Sequence, residues 1–222
     1  MASSSTRPVK RLLVLGAAVP FAFFGYNAFP VAAATPTCAG QPATIVVSAS
    51  SAHTVRGSSH RDVIVVHDAG HVVRAAGGND LVCGSGGHDV IHGGSGRDRI
   101  MGFAGRDALW GGSGPDDMTG GSGDDELEGQ DGDDVESGGA DDDTVIGGSG
   151  DDELSGDQGD DDLQGDQGDD DLQGDEGNDD CEDDDASAAT STQCDDQGDD
   201  DQGENDNAGD DDGGSDDGGS DD

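Results

Sequence analysis

Gly93-Gly94-Ser95-Gly96-Arg97-Asp98-Arg99-Ile100-Met101 is followed by three more nine-residue units in the same frame, opening at Gly102, Gly111 and Gly120. Each reads G-G-x-G-x-D-x-U-x with small deviations, U being apolar, and the period runs without insertion or deletion from Gly57 to Glu182, fourteen units in 126 residues. Position six is Asp62, Asp80, Asp89, Asp98, Asp107, Asp116, Asp125, Asp134, Asp143, Asp152, Asp161, Asp170 and Asp179, with His71 the single exception. Position eight is Ile64, Val73, Val82, Ile91, Ile100, Leu109, Met118, Leu127, Glu136, Val145, Leu154, Leu163, Leu172 and Cys181. A random tract rich in Gly and Asp would not confine its aliphatic residues to one position in nine, so the period marks a structural unit rather than low complexity.

Glycines at positions one, two and four suit a turn that visits positive φ and lies close to another turn. The triplet x-U-x then points outward, inward, outward, a half-buried strand of minimal length. One inward side chain per strand is little. Its full burial is worth about 1.5–3 kcal/mol, whereas ordering nine residues costs about 1–2 kcal/mol each in backbone entropy. Strand hydrogen bonds add only ~0.5–1.5 kcal/mol net apiece. The chain also carries 52 Asp and Glu against 9 Lys and Arg, a formal charge of -43. Something must cancel that charge for the chain to coil. The position-six carboxylates and the turn carbonyls are hard oxygen donors of the kind that suit Ca²⁺; Mg²⁺ is less suitable because it demands near-octahedral geometry and keeps its waters. Cys and His are too sparse for a zinc array.

The pattern resembles the RTX (repeats-in-toxin) nonapeptide, a calcium-binding repeat. The resemblance implies an all-β fold, a parallel β-roll or solenoid in which each unit gives a turn and a short strand and two units complete one coil. It implies multiple Ca²⁺ ions held along both edges, with the thirteen position-six aspartates as the metal residues. Aspartates two units apart are then expected to work together, Asp98 with Asp116 and Asp107 with Asp125, the Asp of one unit facing the turn two units on. Metal binding and folding become one process, because ions that bind only the folded form add their binding free energy to its stability.

Outside the block the composition changes. Arg7, Lys10 and Arg11 precede an apolar run from Leu12 to Phe24 and then Ala32-Ala33-Ala34, so residues 1–34 read as a secretory signal peptide. The run is shorter than the ~20 residues that span a bilayer. Residues 35–56 read as an N-terminal cap of degenerate repeats, Ala39–Val47 and Ser48–Arg56, with Val46 and Val55 at position eight and no position-six Asp. Residues 57–182 are the roll. Residues 183–222 hold 17 acids and no Lys or Arg, an acidic tail expected to be disordered. From Gly111 onward acids also crowd positions five and seven, where they are expected to face solvent.

Four cysteines allow three disulfide pairings. Cys181 with Cys194 would lock the last coil, and Cys38 with Cys83 would tie the cap to the roll. Glu136 occupies an inward slot, a fault that a one-residue slip bringing Val135 inward would relieve. His71 leaves the pairs it would have joined weak or absent.

The acidity excludes nucleic acid as a partner, since that polyanion is bound by releasing counterions with Lys and Arg. H-E-x-x-H and G-x-S-x-G are missing, and only 22 residues separate the expected cleavage from the repeats, so no enzyme is expected. The reading is a secreted, extracellular, monomeric calcium-binding roll with no membrane contact once the signal is cleaved. Two alternatives remain. One is an adhesin or matrix module that docks through the outward apolar residues Val63, Val65, Leu81, Val90, Met101 and Trp110, unless the cap covers them. The other is a disordered acidic calcium buffer.

Overall fold

The computed structural model describes residues 35–49, 53–182 and 191–194. The expected signal peptide and nearly all of the expected acidic tail lie outside the described residues.

The architecture is all-β, with no helix among the described residues. Two parallel sheets face each other. One holds eight strands, Thr54–Arg56, Val72–Gly77, Val90–Ser95, Ala108–Ser113, Glu126–Asp131, Thr144–Ser149, Asp162–Gln167 and Asp180–Glu182. The other holds nine, Ile45–Val47, Val63–Val66, Leu81–Cys83, Arg99–Ala104, Asp117–Ser122, Val135–Ala140, Glu153–Gln158, Asp171–Glu176 and Ser191–Gln193. Successive strands of the chain alternate between the sheets, and within a sheet Ile91, Leu109 and Leu127 stand in register. The repeat distance along each sheet is therefore two units, as the resemblance implies.

The position-eight side chains from Ile64 to Leu172 meet between the sheets as a single apolar file, each almost fully buried. The strands are longer than the expected triplet. Most run six residues and continue into the first three positions of the next unit, as in Arg99–Ala104. The reason lies at position one. Its glycine is a second inward position, and an ideal Cβ built on Gly93 would lie 2.5 Å from Asp98 Oδ2 and 2.7 Å from the Gly111 carbonyl oxygen. From Gly84 onward position-one glycine is thus required by space, Val66 and Ala75 filling that slot in two earlier units, while positive φ belongs to positions two and four.

Two sequence expectations are corrected here. The frame does not extend unbroken into the cap on both sides. Ile45 pairs with Ile64, nineteen residues on, so Val46 faces out and Val47 is buried. Val55 keeps the frame by pairing with Val73. Nor does the strand at Glu136 slip. Glu136 pairs with Met118 and Leu154, is 1% exposed, and leaves Val135 45% exposed. A slip would turn every side chain of the strand over and would put Ser137 where Gly138 now sits, a place whose Cβ would lie 2.6 Å from Asp143 Oδ2.

The N-terminal hairpin, Thr37–Cys38 with Gln41–Pro42, folds over the outside of the nine-stranded sheet. Cys38 packs there with Val63, Val65, Leu81 and Cys83 in a second apolar cluster, fixed by the Cys38–Cys83 disulfide. Cys181 and Cys194 form the other disulfide.

Candidate metal sites along the two edges of the roll

Each position-six aspartate sits between a turn and a strand, and strand geometry decides what its backbone can reach. The N–H of Arg99 donates back to the carbonyl of Asp80, and the carbonyl of Asp98 accepts from Asp117 on the coil that follows. The N–H of Asp98 shares that forward direction and finds its acceptor in the side chain of Asp116, at 2.7 Å from Oδ1. The same bond recurs for eleven pairs, from Asp62 to Asp80 through Asp161 to Asp179. These are the eighteen-residue pairs expected from the period, with the direction reversed: the later carboxylate reaches back to the earlier main chain. Two rows result, one starting at Asp62 and the other at Asp89.

The second carboxylate oxygen distinguishes the members. Oδ2 of Asp80, Asp98, Asp107, Asp116, Asp125, Asp134, Asp143, Asp152, Asp161, Asp170 and Asp179 is buried with no hydrogen-bond donor. A buried acceptor left without a partner costs about 1–3 kcal/mol, and folded proteins hold few of them. In all eleven units the residue at position two has positive φ: Ala76, Gly94, Phe103, Gly112, Gly121, Gln130, Gly139, Gly148, Asp157, Asp166 and Asp175. Six of these are not glycine, and non-glycine residues in this region concentrate where a site requires them.

Asp62 and Asp89 differ. Ser58 donates to Asp62 Oδ2 from its main-chain N–H at 2.7 Å and from its hydroxyl at 2.9 Å. Ser85 does the same to Asp89 Oδ2, at 2.7 and 2.8 Å. Neither serine has positive φ. The sequence carries the signal for this, since Ser58 and Ser85 are the two serines at position two, but the motif letters alone give them no meaning. At His71 the row is interrupted; its Nδ1 and Asp89 Oδ1 are both buried without a partner.

Burial raises the carboxylates. Asp80, Asp107, Asp125 and Asp161 are pushed up to about 6, chiefly by desolvation. Asp116 and Asp152 rise to about 7 and Asp143 to about 8, again mainly through desolvation, with the adjacent carboxylates of the row adding to it. The N–H from the preceding coil pulls each of them the other way. Asp98 is raised by desolvation, and Asp134 by desolvation with Asp133 and Asp131 adding to it.

Among the described residues no three His, Cys, Asp or Glu side chains gather as a metal cluster. The side-chain donors come singly along each row, so a cation there takes main-chain oxygens as well. The space fits that demand. A Cβ on Gly102 would meet Asp107 Oδ2 at 2.5 Å and the Gly120 carbonyl at 2.6 Å, and one on Gly120 would meet Asp125 Oδ2 at 2.5 Å and the Gly138 carbonyl at 2.7 Å. Anionic and carbonyl oxygens converge on one small space, a donor set that suits a hard divalent cation.

The RTX calcium-binding nonapeptide repeat (4 copies) matches the chain over residues 72–91, 84–118, 110–145, 119–154 and 146–181. Residues 72–181 belong to the RTX family of calcium-binding repeats. No curated protein matches it. The RTX match agrees with the frame set by the eighteen-residue register, and its repeats support Ca²⁺ as the ion. It begins at Val72, so the turn of Asp62 and Ser58 falls outside it.

Proposed function

We propose that this chain is a secreted, non-catalytic calcium-binding β-roll that coils when it meets extracellular Ca²⁺. The observation that carries the reading is the set of eleven buried Oδ2 atoms with no donor, arranged in two rows where carboxylate and carbonyl oxygens face one another. Asp80, Asp98, Asp107, Asp116, Asp125, Asp134, Asp143, Asp152, Asp161, Asp170 and Asp179 are the residues we assign to the ions; Asp62 and Asp89, engaged by serine, are left out of that set. Bound calcium supplies the positive charge that makes close stacking of these carboxylates favourable.

In this reading residues 1–34 direct export, 35–56 cap the roll, 57–182 form it, and 183–222 are an acidic tail. Two disulfides support an oxidising compartment. The paired strands argue against a structureless calcium buffer. The adhesin alternative loses half of its surface, because Val63, Val65 and Leu81 lie under the hairpin. Trp110 is stacked on His92 and donates to Glu128, so its ring is engaged within the sheet. Calcium titration followed jointly by circular dichroism and calorimetry tests the function: heat released together with a gain of β-structure supports it, and equal β-content in calcium and in chelator overturns it.

A further inference from the structure

The first carboxylate of each row is a serine-filled one. Asp62 opens one row and Asp89 the other, and Ser58 and Ser85 each give two hydrogen bonds to the oxygen that the eleven later aspartates leave bare. Position two keeps negative φ in these two turns alone among the thirteen aspartate turns, and position four, His60 and Gly87, also lacks the positive φ found there at Gly78, Gly96 and from Gly105 through Gly168. Both turns are therefore built in a second conformation that satisfies Oδ2 from within the chain.

Three further features fall in the same coils. The second apolar cluster, Cys38 with Val63, Val65, Leu81 and Cys83, doubles the hydrophobic layer there and nowhere else among the described residues. The Cys38–Cys83 disulfide closes a span of 45 residues across them. Charge is balanced as well. Residues 37–92 hold three Arg and four Asp, whereas residues 111–222 hold 46 Asp and Glu and no Lys or Arg of their own. Arg61, Arg97 and Arg99 line one cleft with Asp80 and Asp98.

The geometry points to a calcium-independent nucleus: residues 37–92 fold without metal, with Ser58 and Ser85 taking the place of the cation at two of their three aspartate turns and Asp80 the one left to an ion, and calcium is required only by the coils that follow. The inference rests on the calcium reading above and adds a direction to it. The thickened N-terminal coils give the first metal-dependent strand a ready template, so the roll grows from its N-terminal end.

Hydrogen exchange read by mass spectrometry on the intact, oxidised chain tests this, in calcium and in chelator. The expected result is protection of strands between residues 45 and 92 in both conditions and of strands from Arg99 to Glu182 in calcium only. Loss of protection along the whole roll in chelator, with full protection in calcium, overturns the nucleus and leaves the calcium reading intact. Full protection in both conditions overturns the calcium reading itself. A Ser58→Gly, Ser85→Gly variant, which loses the hydroxyls and frees position two to adopt positive φ, should exchange about tenfold faster over residues 62–91 in chelator, given ~0.5–1.5 kcal/mol per hydrogen bond, and should recover in calcium. Unchanged exchange in chelator would count against the role of the serines. Ser85→Ala, which keeps the main-chain donor, should fall between the two.

Discussion

The main-chain N–H of Asp98 is held by Oδ1 of Asp116 at 2.7 Å, while Oδ2 of the same carboxylate has no donor. One side chain thus has two separable duties. Asp116→Asn keeps an acceptor for Asp98 and loses the charge; Asp116→Ala loses both. Each should weaken calcium binding in a calorimetric titration. In saturating calcium, chemical denaturation should place the Ala variant below the Asn variant by about 1–3 kcal/mol, the cost of a buried N–H left unpaired. Equal stabilities would show that the hydrogen bond carries no weight.

Acidity should act in opposite directions with and without metal. Seven of the row carboxylates rise from an ordinary 3.8, to about 6 in Asp80, Asp107, Asp125 and Asp161, about 7 in Asp116 and Asp152, and about 8 in Asp143. A folded-state value above the unfolded one means stability that is present below about pH 4 and lost as pH climbs through 6 to 8. In chelator, β-structure of the acidic coils should therefore be greatest in mild acid and fade toward pH 8, followed by circular dichroism. In calcium, protons compete for the same oxygens, and affinity should fall as pH drops from 8 to 6.

Glu136 is the one carboxylate in the apolar file. Both of its oxygens lack partners, and burial, with Asp134, Asp152, Glu128 and Asp116 nearby, pushes its carboxyl well above the usual range. Glu136→Leu restores the apolar file between Met118 and Leu154 and should stabilise the calcium-loaded roll by roughly 1–3 kcal/mol in guanidinium denaturation. A loss of stability would reveal a partner for the carboxylate.

Reducing or removing the Cys38–Cys83 bond, which spans 45 residues, should cost about 4 kcal/mol on the chain-entropy scale. It should also release the hairpin and uncover Val63, Val65 and Leu81, seen as binding of a hydrophobic dye in the Cys38→Ala, Cys83→Ala variant. A variant that keeps the wild-type midpoint and binds no dye would mean that packing alone holds the hairpin.

The sequence makes the coil legible because the period is unbroken and the position-eight file depends on nothing else. It places the eighteen-residue aspartate pairs for the same reason. What it hides is set by atoms rather than by letters. Asp62 and Asp98 share one motif position, yet the φ of Ser58 and Gly94 decides which oxygen is free. The nineteen-residue step from Ile45 to Ile64 arises in the cap, where no glycine or aspartate anchors the frame. Glu136 stays inward because Gly138 and Asp143 leave no room for the alternative, a constraint between neighbouring turns that a single unit does not display.

The constant register also quantises the length of the molecule. Because Ile91, Leu109 and Leu127 stand eighteen residues apart in one sheet, a gain or loss of eighteen residues in the middle of the array leaves every later strand in its own sheet. A change of nine moves all of them to the opposite sheet, and with them the partner edge of Cys181. A change that is not a multiple of nine turns a file of core residues to water. Lengthening this protein is thus a matter of whole steps, and variants that differ in coil number remain variants of one structure.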